Sequence, residues 1–347
     1  MVIVWSRSSS SLKQLPKTQQ RSSYRCSGTL QRTQLVLAVA LAASSYAVAQ
    51  MGTVEVHVLP RTDQAVQAST QALRANVDLV LVNVTVLDRA DRTVAGLTSS
   101  NFAVVDDKRP QLIRYLSNED EPISLVVVLD VSASMGANIQ EARKAFAELI
   151  DTSNPQDDFG MIVVSDKPRI GLHFDDSASE IRRAVAALQP DGATALWDGM
   201  YLGIEELKKS HHQRKAMVVI SDGADNHSRH TESELKSLLK EADVEVYAVG
   251  MFNRNATTPE ERKGPLELDE VTSVTGGRLF SVHGSVELSR AVTQISLELR
   301  NQYILGYYPS NRSRDGKWRK LKIRLTGPES QAKVRLYAKK GYYAPAE

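Results

Sequence analysis

Hydrophobic and polar positions change rhythm twice along this chain. From Val77, "VDLVLVNVTVLD" alternates apolar and polar residues and is rich in β-branched side chains, which predicts a strand with one buried face. After the turn "RADRT", the stretch "FAVVDDKRPQLIRYLS" predicts two further strands around a tight turn at Asp106–Pro110. From Ser124 the alternation stops. "SLVVVLDV" is apolar from Leu125 to Leu129, as a strand buried on both faces of a parallel sheet should be. "IQEARKAFAELID" then has helical spacing, "DFGMIVVS" predicts a strand, and "RIGLHF" an edge strand. Two helices ("ASEIRRAVAALQ" and "ATALWDGMYLGIEELKKS"), the strand "AMVVISDG", the helix "TESELKSLLKEAD" and the strand "VEVYAVG" follow. "LELDEVTSVTG", "GRLFSV" and "SVELSRAVTQISLELRNQ" carry the alternation to about Asn301. Beyond it, "YILGYYPS", "RKLKIRLTG" and "AKVRLYAKKGYY" read as strands again. In "LKIRL", Leu321, Ile323 and Leu325 share one face and Lys322 and Arg324 the other.

Strands alternating with helices imply an α/β fold, a doubly wound, mostly parallel sheet with helices on both faces, here over residues 122–300. The β segments on either side, 77–118 and 301–347, hold roughly 40 residues each, too few to bury a core alone. They are expected to pack together as one discontinuous, sandwich-like unit into which the α/β domain is inserted. Tyr303, Tyr307, Tyr308, Tyr337, Tyr342 and Tyr343 then supply its core and rim rather than a ligand surface.

The first fifty residues change the charge picture. Arg7, Lys13, Lys17, Arg21, Arg25 and Arg32 appear there with no acidic residue. The apolar stretch Leu35–Ala43 follows, and then Ala47-Val48-Ala49. Basic, apolar, then small is the order of a secretory signal peptide, and the apolar stretch is short of the ~20 residues of a spanning helix. The expectation is a signal peptide over 1–49, export to the periplasm, cell surface or medium, and no stable transmembrane segment once the leader is cleaved before Gln50. The alternative is a retained membrane anchor. The basic region is long for such a leader and contains no Met between Met1 and Met51, so a downstream non-AUG start is an alternative beginning. Cleavage would lower Lys plus Arg from 43 to 37 against 41 acidic residues, turning the net charge from +2 to −4. The basic charge expected of a nucleic-acid binder thereby disappears. Cys26, the single cysteine, lies in the leader too, so the mature chain needs no disulfide chemistry. Residues 50–76, rich in Gln, Ala, Ser and Thr, read as a flexible linker.

Ligands of open α/β sheets bind beyond the carboxyl ends of the strands, where strand order reverses. Three stretches fall there: Asp130, Ser132 and Ser134 after the first buried strand, Asp222 after "AMVVIS", and Thr194 at the start of a long helix. Each has a plain structural alternative. Asp130 and the two serines suit a strand-end turn, Thr194 a helix N-cap, and Asp222-Gly223 a turn. Together they are two carboxylates and three hydroxyls on loops at one sheet edge, an all-oxygen set that suits a hard divalent cation such as Mg²⁺. Neutral hydroxyl ligands leave the ion incompletely screened, able to accept a carboxylate from a partner. Asp130 is expected to be a solvent-facing carboxylate.

In "LDVSASMG", "DGATALWDG" and "VVISDGADN" the sequence resembles the von Willebrand factor A domain family over about Ser124 to Arg300. That family's metal-ion-dependent adhesion site uses D-x-S-x-S, a separate Thr and a separate Asp. Ala133 stands where the family often has glycine. "LTSSNFAVVDDKRPQ", "QYILGYYPSN" and "KKGYYAP" resemble a bacterial subgroup, the VWFA-related proteins of acidobacteria. The resemblance implies that Ser132, Ser134 and Thr194 ligate Mg²⁺, with Mn²⁺ or Ca²⁺ as alternatives, directly. Asp130 and Asp222 would act mainly through water. It also implies a non-enzymatic binding module whose partner is a protein presenting an acidic side chain.

Two other chemistries compete. An apolar strand ending in Asp also occurs in haloacid-dehalogenase phosphatases, with Asp130 then a phosphoryl-accepting nucleophile. Those enzymes carry a second Asp two positions on as the proton-transfer agent, and here Ser132 stands there. His227 and His230 beside Asp225 have an i,i+3 spacing that a zinc site uses, although solvated loop histidines explain them as well. His211 and His212 read as a water-facing helix C-terminus.

Overall fold

Describing residues 79–222, 225–252, 258–327 and 333–346, the structure is a computed structural model. The chain divides into Met1–Leu73 and Arg74–Glu347, and all of these residues belong to the second unit. The leader and linker readings fall outside them.

β5 (Ile123–Asp130) is buried at every position and lies at the centre of the six-stranded sheet, as its unbroken apolar run demands. The sheet order is β10 (Leu279–Ser281), β9 (Glu245–Gly250), β8 (Arg214–Ser221), β5, β6 (Asp158–Val164), β7 (Arg169–Leu172). Pairing is parallel except for β7, which runs antiparallel to β6 at the edge. Alternate residues of β5 serve opposite layers. Leu125, Val127 and Leu129 pack with Phe146 of α1 (Ile139–Thr152), Val185 of α2 (Ala178–Ala187) and Val292 of α6 (Ser285–Arg300). Val126 and Val128 pack with Met200 of α3 (Leu196–Leu207), Leu235 of α4 (Glu232–Glu241) and Leu268 of α5 (Pro259–Thr275). α5 begins earlier than "LELDEVTSVTG". A reciprocal cap between Thr258 and Glu261 with Pro259 at its first position starts it, and Gly276 at φ 98° ends it. A Cβ on Gly276 would stand 2.6 Å from the backbone of Ala338, so the helix end and the C-terminal strand can meet only there as glycine.

The flanking segments interleave. One sheet is β13 (Arg335–Ala338), β1 (Val80–Leu87), β11 (Tyr303–Tyr307), β4 (Ile113–Ser117). The other is β14 (Gly341–Tyr343), β12 (Trp318–Leu325), β2 (Phe102–Asp106), β3 (Arg109–Gln111). Every pairing within these sheets is antiparallel, and β1 is bonded on both sides to strands from beyond residue 300. The expected second strand of "FAVVDDKRPQLIRYLS" is split in two. β2 and β3 turn at Asp107 and Lys108, both at positive φ, and Leu112 then carries the chain across to the other sheet as β4. Val82, Val84, Phe102, Val104, Tyr303 and Tyr307 fill the space between the sheets.

The sandwich and the α/β layer meet through buried polar groups. The Gln302 amide donates to both Glu245 carboxylate oxygens at 2.8 Å and to Thr85 Oγ1 at 3.1 Å. Arg278 pairs with the fully buried Glu298 and with Asp91 in the turn after β1. Among the described residues no helix is long and apolar enough to cross a membrane.

Candidate metal centre

β5 sits where the sheet order reverses, between β6 and β8, so the ends of β5 and β8 lie side by side with Leu129 opposite Ile220. Asp130 is the last residue of β5, and it is fully buried. Oδ1 accepts the Ser132 backbone N–H at 2.9 Å and Oδ2 accepts the Ser221 hydroxyl at 2.6 Å. The expectation of a solvent-facing carboxylate is therefore corrected, because the strand delivers Asp130 inside the sheet edge rather than onto the loop. Burial, and then the negative charge of Asp222, push its carboxyl up to about 6, although the bonds from Ser221 and Ser132 pull the other way.

Ser132 is buried and Ser134 exposed, with their hydroxyls 3.0 Å apart. They open the 3₁₀ turn Ala133–Ala137. Ala133 N–H donates to the Gly192 carbonyl at 3.0 Å, which ties this turn to the one before Thr194. Gly192 is at φ 78°, and a Cβ there would stand 2.5 Å from the Asp166 carboxylate, which accepts the Ala193 N–H.

Thr194 is buried, and it is not the N-cap of α3. Ala195 occupies that position without a side-chain bond. The free N–H groups of Leu196 and Trp197 instead donate to Asp225 Oδ1, at 2.7 and 3.3 Å. The Thr194 backbone is clamped by the same loop. Its N–H donates to Asn226 Oδ1 at 2.9 Å, and its carbonyl accepts from Asn226 and His227 at 3.0 and 3.1 Å.

Direct bonds thus join Asp130 to Ser132 and Ser132 to Ser134, the field of Asp222 reaches Asp130, and Thr194 is tied to the flanking loops by its neighbours. Ser221, Asp225 and Asn226 escaped the sequence reading. Asp225 was visible only beside two histidines, and its capping partner lies across a sheet edge. The zinc grouping is not formed, since His230 Nδ1 lies 2.7 Å from Asp198 Oδ1 and Asp225 is spent as a cap. His211 and His212 also have partners, Asp158 and the Gln156 carbonyl, rather than water alone. Among the described residues no three His, Cys, Asp or Glu are grouped to hold a metal. A cation held by Asp130 and its neighbours would depend on hydroxyls, and the donor set fits a hard ion: the groups acting most on Asp130 are Asp222, Ser221 and Ser132, none of them cationic.

The family model described as the von Willebrand factor type A domain matches residues 124–289. An uncharacterized protein of Synechocystis is 29% identical over 110 residues, covering 30% of this chain and 26% of its own. The human inter-alpha-trypsin inhibitor heavy chain H4 is 27% identical over 115 residues, covering 29% and 12%. The chain therefore spans about a quarter or less of the length of these two relatives. Proximal thread matrix protein 1 from the mussel byssus, in a structure with a zinc-occupied MIDAS motif, superposes with a TM-score of 0.45 at 19% identity. The overlap covers 55% of this chain and 48% of that one. The parallel sheet with its two helical layers, spanning the matched segment, makes residues 124–289 a von Willebrand factor type A domain.

Proposed function

We propose that this chain is an exported, non-enzymatic binding module that engages an acidic side chain of a protein partner through a divalent cation held by Asp130, Ser132, Ser134, Thr194 and Asp222. Mg²⁺ is the first choice, with Mn²⁺ or Ca²⁺ as alternatives. One observation carries the reading. A fully buried carboxylate is pushed up by its burial and then by a second carboxylate, beside two hydroxyls 3.0 Å apart. Burying a charge next to a like charge is costly, and a cation relieves both costs. Both oxygens of Asp130 already accept hydrogen bonds, which suits an indirect role and leaves Ser132, Ser134 and Thr194 as the direct donors.

The same observation weighs against phosphoryl transfer. A nucleophile must reach its substrate, and Asp130 is shut off from solvent. Export, with cleavage before Gln50, rests on the leader sequence, and N-terminal sequencing that found the leader intact in cytosolic protein would remove it.

Calorimetry of the whole protein, with Mg²⁺ and with chelator, tests the cation. Binding to the folded state alone adds about 2.7 kcal/mol when the ion is at 100 times its dissociation constant. A melting temperature unmoved by Mg²⁺, Mn²⁺ and Ca²⁺ overturns the reading. Capture of a partner from native envelope that chelator abolishes would support it.

A further inference from the structure

The loop from Asp225 to His230 clamps Thr194, yet neither the fold nor the cation site uses its outward side chains. We infer that this loop is the partner-selecting rim of the site, and that the partner segment it fits is an acidic peptide with a second carboxylate close to the one that meets the cation. The inference rests on the cation-site reading above.

The argument begins with rigidity. Asn226 and His227 are bonded through their backbones to the Thr194 carbonyl, so residue 227 sits beside a proposed ligand. Further along, Asp198 accepts the backbone N–H groups of Arg229 and His230 at 3.1 and 3.0 Å, and the His230 ring stacks on Tyr201 at 3.8 Å between centroids. A loop fixed at both ends pays little ordering entropy when something binds it.

Charge then gives the chemistry. The acids of this region are each engaged by a protein group. Asp225 caps α3, Asp198 holds the loop backbone, Glu234 accepts from Thr231, and Glu232 pairs with Lys236. The side chains of His227 and Arg229 are exposed and bond to no described residue. The rim next to Thr194 therefore presents a guanidinium and an imidazole without bonded partners among the described residues, while its carboxylates, the exposed Glu234 among them, are each already engaged. Asp166 and Asp191, in the stretches before Thr194, are exposed as well, and Asp166 accepts the Ala193 N–H. An incoming acidic segment is drawn to the Arg229 rim and repelled by such exposed carboxylates, so the rim charge selects where it seats.

The test uses the whole protein with a synthetic peptide of consecutive aspartates, compared with a peptide carrying one aspartate among glycines and serines. With Mg²⁺ present, the multi-aspartate peptide should bind more tightly. Arg229→Ala should slow its association severalfold and flatten the dependence of its rate on salt, with little change in dissociation, because a rim charge steers encounter. Arg229→Lys should restore most of the rate. The Mg²⁺-dependent rise in melting temperature should be the same in all three proteins. Equal binding of the two peptides, or an Arg229→Ala rate and salt dependence unchanged from wild type, overturns the rim while leaving the cation site standing. No Mg²⁺-dependent melting shift in the wild type removes the cation site itself.

Discussion

Asp225 accepts the backbone N–H of Leu196 at 2.7 Å, so the helix beneath the candidate site is capped by a carboxylate 29 residues further along the chain. This long-range cap fastens the loop after β8 to the helix that follows Thr194. Removing it as Asp225→Ala should cost about 1–2 kcal/mol, because a capping acceptor is lost and buried N–H groups are left without a partner. Asp225→Asn keeps an acceptor and should cost less. Urea denaturation of both variants measures the difference. An alanine variant as stable as the asparagine one would show that the cap contributes nothing.

Much of the architecture could be read from residue order. Unbroken apolar runs marked the central strands, and two amphipathic β segments too small to stand alone implied a shared sandwich. The interleaving within that sandwich was less accessible. Nothing local in "VDLVLVNVTVLD" says that β11 and β13 flank it, since antiparallel partners are chosen by the whole fold. The candidate ligands stood out because D-x-S-x-S is local. Asp225 and Asn226 did not, because a cap and a backbone clamp across a sheet edge leave no periodic trace. Asp130 was placed on the wrong side of the boundary with water. Position at a strand end was legible, but depth depended on Ser221 and on the covering turn at Ala133–Ala137.

Asp130→Asn separates charge from shape at the centre. Asparagine can accept the Ser132 N–H as the carboxylate does and removes the repulsion from Asp222. At pH 7.5 without divalent ions the variant should be as stable as wild type or more so. With Mg²⁺ only the wild type should gain melting temperature. Asp130→Ala is a poorer test, since it also removes the oxygen that accepts the buried Ser221 hydroxyl. An asparagine variant with the full Mg²⁺ shift would refute Asp130 as part of the site.

The pH dependence follows from the same carboxyl, raised from 3.8 when unfolded to about 6 when folded. A raised folded value means that the folded state holds the proton more tightly. Without metal, the contribution of Asp130 to stability is fully present below pH 3.8 and is lost as pH rises through 6, roughly 3 kcal/mol in all. The difference in stability between wild type and Asp130→Asn, followed from pH 4 to 7.5 in chelator, should show this fall. Cation binding has the opposite sign, because the ion competes with the proton. The Mg²⁺-dependent melting shift should therefore shrink as pH drops through about 6. A shift of constant size from pH 5 to 7.5 would mean that the titrating carboxylate is not coupled to the ion.

Arg278 and Glu298 make the sharpest stability prediction. Glu298 is fully buried near the end of α6, and its oxygens receive Arg278 together with the Gln294 amide at 2.9 Å. Arg278 also reaches Asp91, whose carbonyl accepts from Gln294 at 2.7 Å, so one guanidinium ties the α/β layer to the turn after β1. Arg278→Leu would leave a carboxylate buried with one neutral donor, a change that costs about 3–5 kcal/mol. Most of that loss reflects the stranded charge rather than a net gain from the pair. The double variant Arg278→Leu with Glu298→Leu should therefore recover much of it, as paired apolar replacement of a buried ion pair does. Asp91→Ala removes a half-exposed carboxylate shared by Arg278 and Arg335 and puts alanine at a φ of 59°, and should cost about 1–2 kcal/mol. Urea denaturation of the three variants decides the matter. If Arg278→Leu costs no more than Asp91→Ala, the pair is not a clamp, and the sandwich and α/β layer are held together by the Gln302–Glu245 contact and by packing instead.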